Sequence, residues 1–218
     1  MHGSSLDVTM LTVGPLEENC WLIADRPSRL AVLVDPGDEA PRLLEAVSDA
    51  GCTLSAIWLT HAHFDHVGAV EEIVRLHDVP VLLHPLDLPI YDSATTSAER
   101  WGLFVTQPTV PTVALHEGDR LRLGDATFDV WHLPGHAPGH VAFIGEGLCI
   151  SGDLLFAGSI GRTDLPLCDP RAMHHSLHRV ATLDGALHVL CGHGPPTTIA
   201  RELSGNPFRR GLARPIGA

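Results

Sequence analysis

The chain is short of aromatic residues, of paired cysteines and of positive charge, and each shortage removes a class of protein. Aromatic side chains make up 5% of the 218 residues, with a single tyrosine, against an apolar fraction of 44%. The core is therefore aliphatic, and the length suits one domain able to bury a substantial core. The five cysteines (Cys20, Cys52, Cys149, Cys168 and Cys191) are odd in number and scattered, with no C-x-x-C pair. That excludes a disulfide framework and a thiolate zinc site. Cys149 lies in the apolar run Gly147-Leu148-Cys149-Ile150, where a reduced cysteine acts as a small hydrophobe. Basic residues number 14 against 26 acidic ones, a net charge of −12, which repels phosphate backbones. The one basic cluster, Arg209, Arg210 and Arg214, is short and terminal, and reads as a solvated tail. No basic stretch followed by an apolar run marks a signal peptide, and no apolar run is long enough to span a bilayer. The expected setting is the cytoplasm, with a small-molecule substrate, no nucleic acid and no membrane; a homo-oligomer stays open. What the chain has in quantity is histidine, 15 residues of it.

No internal repeat or low-complexity linker interrupts residues 1–218, so a single domain is expected. Leu6 to Val13, Cys20 to Ala24 and Leu30 to Val34 are β-rich runs separated by turn residues, the pattern of an antiparallel meander. Asp38 is placed to cap a helix through Leu43, Leu44 and Val47 that stops at Gly51. A strand at Ala56 to Leu59, a helix over Val67 to Leu76 and a strand at Val81 to Leu83 follow. Pro85 to Gln107 is ambiguous, with room for two short helices. Strands return at Thr112 to Leu115, Arg120 to Leu123, Thr127 to Trp131, Val141 to Ile144 and Leu148 to Ser151. A helix from Arg171 to Leu183, a strand at Leu187 to Leu190 and a short helix from Thr198 to Leu203 complete the pattern. Strands followed by strand–helix alternation in each half imply an α+β fold: a four-layer αβ/βα sandwich of two mixed sheets with helices outside.

The decisive segment is Thr60-His61-Ala62-His63-Phe64-Asp65-His66, directly after a strand. Four nitrogen and oxygen donors within six positions can converge from one loop, the compact cluster that zinc requires at about 2.0–2.2 Å. Three more segments repeat a strand, a glycine turn and a donor: Trp131-His132-Leu133-Pro134-Gly135-His136, Ser151-Gly152-Asp153 and Leu190-Cys191-Gly192-His193-Gly194. Glycine there lets the backbone approach the site without a side chain in the way. In this order, over Leu59 to Gly194, the segments resemble the motifs of the metallo-β-lactamase superfamily. The resemblance implies His61, His63 and His136 on one divalent ion and Asp65, His66 and His193 on another. Asp153 would bridge them, and a hydroxide between the ions would act as nucleophile. Zinc is the expected metal, with iron or manganese as alternatives, and Asp65 and Asp153 are the residues implied in catalysis. His84, His132 and His140 flank these motifs as candidates for orienting ligands, and Asp35 is similar to a superfamily aspartate that supports the site from behind. His77, His116, His174, His175, His178 and His188 read as surface or packing residues.

After Asp153 the run Leu154 to Asp164, containing Gly161-Arg162-Thr163-Asp164, looks like the short glyoxalase II-like hydrolases, as does Asn206-Pro207-Phe208. That resemblance implies hydrolysis of hydroxyacyl thioesters, in which a thiolate with a conjugate acid near pKa 8.5 leaves without a strong general acid. Arg162 is the candidate for a substrate carboxylate, or else a structural partner of Asp164. The chain departs from full-length glyoxalase II at Gly194-Pro195-Pro196, where that family has an aromatic residue, and in having only 25 residues after His193. A thiol carrier other than glutathione therefore fits as well. Persulfide dioxygenases, which share the Gly-Arg-Thr-Asp segment and hold a single iron on the equivalents of His61, His136 and Asp153, are the first rival. Lactonase-type hydrolases of the same fold are the second.

Overall fold

Two six-stranded sheets carry most of the chain in the computed structural model, which describes residues 6–208. The first runs in order β1 (Leu6–Val13), β2 (Glu18–Asp25), β3 (Leu30–Val34), β4 (Thr53–Trp58), β5 (Val81–Leu83) and β6 (Val113–Ala114). Its first three strands form the antiparallel meander, and β3 through β6 are parallel. The second contains β7 (Arg120–Leu123), β8 (Ala126–His132), β9 (Val141–Gly145), β10 (Leu148–Gly152), β13 (His188–Cys191) and β14 (Thr197–Thr198), in that order. Only β10 and β13 pair in parallel there. A hairpin of β11 (Leu155–Phe156) and β12 (Ser159–Ile160) lies outside both sheets.

The helices are α1 (Ala40–Asp49), α2 (Phe64–Val67), α3 (Val70–Leu76), α4 (Leu88–Tyr91), α5 (Ala94–Arg100), α6 (Pro170–Val180) and α7 (Ile199–Gly205). None of the described helices is long and apolar enough to cross a membrane.

Three hydrophobic layers separate these elements. Strand β2, buried on both faces, shows why: Cys20, Leu22 and Ala24 pack with Leu43, Val70 and Ile73 of α1 and α3, whereas the alternate residues Trp21 and Ile23 face the second sheet. Between the sheets Trp58 meets Phe128 and Phe143 at ring separations of 5.5 and 5.3 Å. A third layer joins the second sheet to Met173, Leu177 and Val180 of α6 and Ile199 of α7. Helix, sheet, sheet, helix is the expected four-layer α+β arrangement.

Several local expectations are corrected. Asp38 does not cap α1: Glu39 occupies the cap position in a left-handed conformation with φ 55°, and its carboxylate accepts from Gly14 N and Arg42. The expected helix over Val67 to Leu76 breaks after Val67, because Ala69 N donates to Pro36 O outside the helix and Gly68 packs on the Gly37 carbonyl. Pro85 to Gln107 does hold two short helices, α4 and α5, with a 3₁₀ turn before them. Thr198 is the cap of α7, its side chain accepting from Arg201 N. Arg209, Arg210 and Arg214 lie outside the described residues.

Candidate metal centre

The seven residues of the sequence motifs converge at the strand ends where the two sheets meet. His61 follows β4, and His63 stands at the N-terminal boundary of α2, which presents Asp65 and His66 from its first turn. His136, Asp153 and His193 leave the ends of β8, β10 and β13. The sheets are stitched at this edge by Val141 N donating to Thr60 O (2.8 Å) and Asn19 N donating to Gly192 O (2.7 Å).

Donor atoms of His61, His63 and His136 lie within 4.8 Å of one another, and so do those of Asp65, His66 and His193. Asp153 stands between the two groups. One carboxylate oxygen is 3.4 Å from His66 Nε2; the other is 3.4 Å from His136 Nε2 and 3.7 Å from His193 Nε2. Gly192 and Gly152 permit this approach. A Cβ on Gly192 would enter the Asp153 carboxylate, and one on Gly152, which holds φ +47°, would strike the Thr60 hydroxyl.

The electrostatics fit cations. Glu18, Asp35, Asp65 and Asp153 crowd one region, yet among the described residues their ion-pair partners are histidines alone, never arginine. Although burial works the other way, Asp153 and Asp65 push His66 well above the ordinary imidazole pKa. Burial likewise opposes, but His66 together with His136 and His193 holds the Asp153 carboxyl far below the usual range. Burial, reinforced by neighbouring imidazoles, keeps His61 well below its ordinary pKa and takes His63 down to about 3. Neutral imidazole is the form that coordinates a metal. His61 Nε2, His66 Nε2 and Asp153 Oδ1 are buried with no hydrogen-bond partner, which is unusual for polar atoms unless a cation completes them.

Supporting residues stand behind these donors. Asp35 accepts from Thr60 N (2.7 Å) and Thr60 Oγ1 (2.5 Å) and lies 3.2 Å from His66 Nδ1, which fixes that ring. His136 Nδ1 is 2.8 Å from the Arg162 carbonyl. Of the flanking histidines, His140 stacks on His61 at 5.2 Å, whereas His84 and His132 stack on each other at 4.3 Å; His84 Nδ1 accepts from Leu86 N and the His132 ring bonds the Pro138 carbonyl.

Three supports escaped sequence reasoning. Asn19 donates through its amide to Cys191 O (3.2 Å) and Gly194 O (2.7 Å), gripping both sides of His193. Asp87, its pKa raised to about 7 by burial, accepts from Ala62 N and Gly139 N and so ties the His61 and His136 loops together. Glu18 is fully buried, 3.7 Å from His66 Nδ1, with neither oxygen hydrogen-bonded.

A cavity of about 470 Å³ opens over the cluster, with His63, Asp65, His136, Asp153 and His193 in its floor and Phe64, Trp101, Phe156 and Ile160 among its walls. Arg162 lines it, with Nε and Nη2 each 2.7 Å from the Asp164 carboxylate and the guanidinium 6.0 Å from the Trp101 ring. Arg162 therefore pairs with Asp164 at the cavity wall.

The family model of the metallo-β-lactamase superfamily matches residues 13–193. The chain belongs to this superfamily and is one of its metal-dependent hydrolases. It is 34% identical to the hydroxyacylglutathione hydrolase GloC of Haemophilus influenzae, over 93% of this chain and 98% of that protein. The crystal structure of TTHA1623 in a di-iron-bound form superposes with a TM-score of 0.86 at 49% identity, covering 92% of this chain and all of that one. The B3 metallo-β-lactamase BLEG-1 superposes with a TM-score of 0.87 at 36% identity, over 93% and 99% of the two chains.

Proposed function

We propose that the protein is a binuclear hydrolase of thioesters, glyoxalase II-like in reaction, converting a hydroxyacyl thioester to a hydroxy acid and a thiol. His61, His63 and His136 would hold one ion and Asp65, His66 and His193 the other, with Asp153 between the two groups. The donors are imidazoles and carboxylates without thiolate, a set that suits zinc, iron or manganese; zinc is our assignment, and the di-iron form of TTHA1623 keeps iron as its competitor. Bound ions would supply Lewis acidity and a hydroxide at neutral pH.

The observation that carries the thioester reading is what lines the cavity. Apart from the proposed ligands, the lining side chains are apolar, serine or arginine. Arginine stays protonated, so no lining residue outside the proposed ligands is suited to protonate a leaving group. A thiolate departs without that help, whereas an alkoxide or amide anion does not. The apolar walls take up the substrate's substituents. Arg162 spends Nε and Nη2 on Asp164, which leaves Nη1 to meet a substrate carboxylate. We place the reaction in the cytoplasm, on a small-molecule substrate, with neither nucleic acid nor membrane as partner.

The test is a panel of S-lactoylglutathione, simple acyl thioesters, lactones, a β-lactam and glutathione persulfide, run on the wild type and Asp153→Ala. Thioester cleavage that Asp153→Ala abolishes is the expected result. Inert thioesters beside rapid lactone or lactam cleavage, or beside oxygen uptake with persulfide, would overturn the assignment.

A further inference from the structure

Away from the cavity, α6 presents a second arrangement of metal donors. Its apolar face, Met173, Leu177 and Val180, is buried against the second sheet. Pro170 opens the helix, and the Asp169 carboxylate caps it by accepting from Arg171 N (2.8 Å) and Ala172 N (3.1 Å). The helix is therefore a fixed platform. On its exposed face His174 and His178 stand one turn apart, their rings 4.5 Å apart and their Nε2 atoms 3.3 Å apart. Histidines at i and i+4 on one helical face are a known zinc-binding geometry. Two imidazole nitrogens about 2.0–2.1 Å from a tetrahedral zinc ion stand about 3.3 Å from each other. The observed separation equals that value, the spacing that two nitrogens sharing one ion require.

We propose that His174 and His178 form a peripheral binding site for a borderline divalent ion, zinc, nickel or copper(II), separate from the central cluster. Two protein donors leave positions for water, so the site is open and weaker than the central one. Copper(II) binds it most tightly, following the usual order of divalent affinities. The competing account of the same geometry is a hydrogen bond between two neutral imidazoles, one donating and one accepting. His175, whose ring centroid is 6.3 Å from that of His174, is the internal control.

The experiment is equilibrium dialysis of the untagged, zinc-loaded protein against increasing zinc, comparing wild type with His174→Gln, His178→Gln and His175→Gln. All three positions are exposed, so the fold is retained, and circular dichroism checks this. The site predicts one equivalent fewer at saturation for His174→Gln and for His178→Gln, with His175→Gln equal to wild type. Because the readout is a difference between variants, it holds whether the central cluster carries one ion or two. Copper(II) added to the zinc-loaded protein should show paramagnetic resonance coupling to two nitrogens that either substitution removes. Equal zinc counts in all four proteins would overturn the proposal and leave the hydrogen bond as the explanation; an equal loss in His175→Gln would overturn it as well.

Discussion

Asn19 offers the sharpest test of how the centre is held together, because it touches no proposed ligand yet bonds the backbone on both sides of one. Its amide bonds Cys191 O and Gly194 O on either side of His193, and its own oxygen accepts from Thr12 Oγ1 at 2.8 Å. Asn19→Ala removes both grips on the loop. At about 1 kcal/mol net for each hydrogen bond, the loop loses about 2 kcal/mol of preorganisation. With 1.4 kcal/mol for each tenfold, affinity for the ion at Asp65, His66 and His193 should fall by up to about 30-fold. The ion at His61, His63 and His136, whose loops Asn19 does not touch, should change by less than about twofold on the same scale. Competition against a chromophoric chelator resolves the two steps. Asn19→Asp is the near-isosteric companion: it keeps the acceptor for Thr12 but turns a carboxylate toward two carbonyl oxygens, and should be at least as damaging. If both ions weaken equally, or neither does in a folded variant, Asn19 does not position His193.

Other expectations rest on separate contacts. Asp35→Asn should lower affinity at the same ion by about 10- to 100-fold, the usual effect of losing a group that orients a ligand, measured as metal content after dialysis. Arg162→Ala should raise KM for thioesters bearing a carboxylate while leaving an uncharged thioester unchanged; equal effects on both would remove Arg162 from recognition. His84 is held at about 4 by burial and the nearby His132 and His116. Between pH 6.5 and 4 the unfolded chain takes up a proton that the folded one refuses, so stability falls as the pH drops through that window and is unaffected above it. His84→Gln should flatten that part of the curve in chemical denaturation, and an unchanged slope would show that His84 does not contribute.

What was legible in the sequence was whatever is local. His61 to His66 declared itself because four donors share six positions, and His136, Asp153 and His193 because each follows a strand and a glycine. The layers were legible because strands such as β2 and β4 contain apolar runs, Cys20 to Ala24 and Ala56 to Trp58. Asn19 and Glu18 were not: these polar residues at the start of a strand gain their meaning only from distant contacts, Asn19 to Cys191 and Gly194 and Glu18 beside His66. Asp87 reads as a turn residue until the fold brings Ala62 and Gly139 to it. Strands β11, β12 and β14 have two residues each, too few to show an alternation. The failed Asp38 cap has a similar origin: the choice between Asp38 and Glu39 was made by Gly14 and Arg42, distant in sequence or on the next turn.

The central claim, two ions sharing Asp153, is tested most directly by His193→Ala in a chain that also carries His174→Gln, so that α6 adds nothing to the count. Metal content and thioester turnover are measured on the same preparation, with circular dichroism confirming the fold. The account predicts that bound metal falls from two equivalents to one and that turnover falls by at least about 100-fold, the scale on which one preorganised electrostatic element acts. An unchanged metal count, with persulfide-dependent oxygen uptake intact, would contradict it.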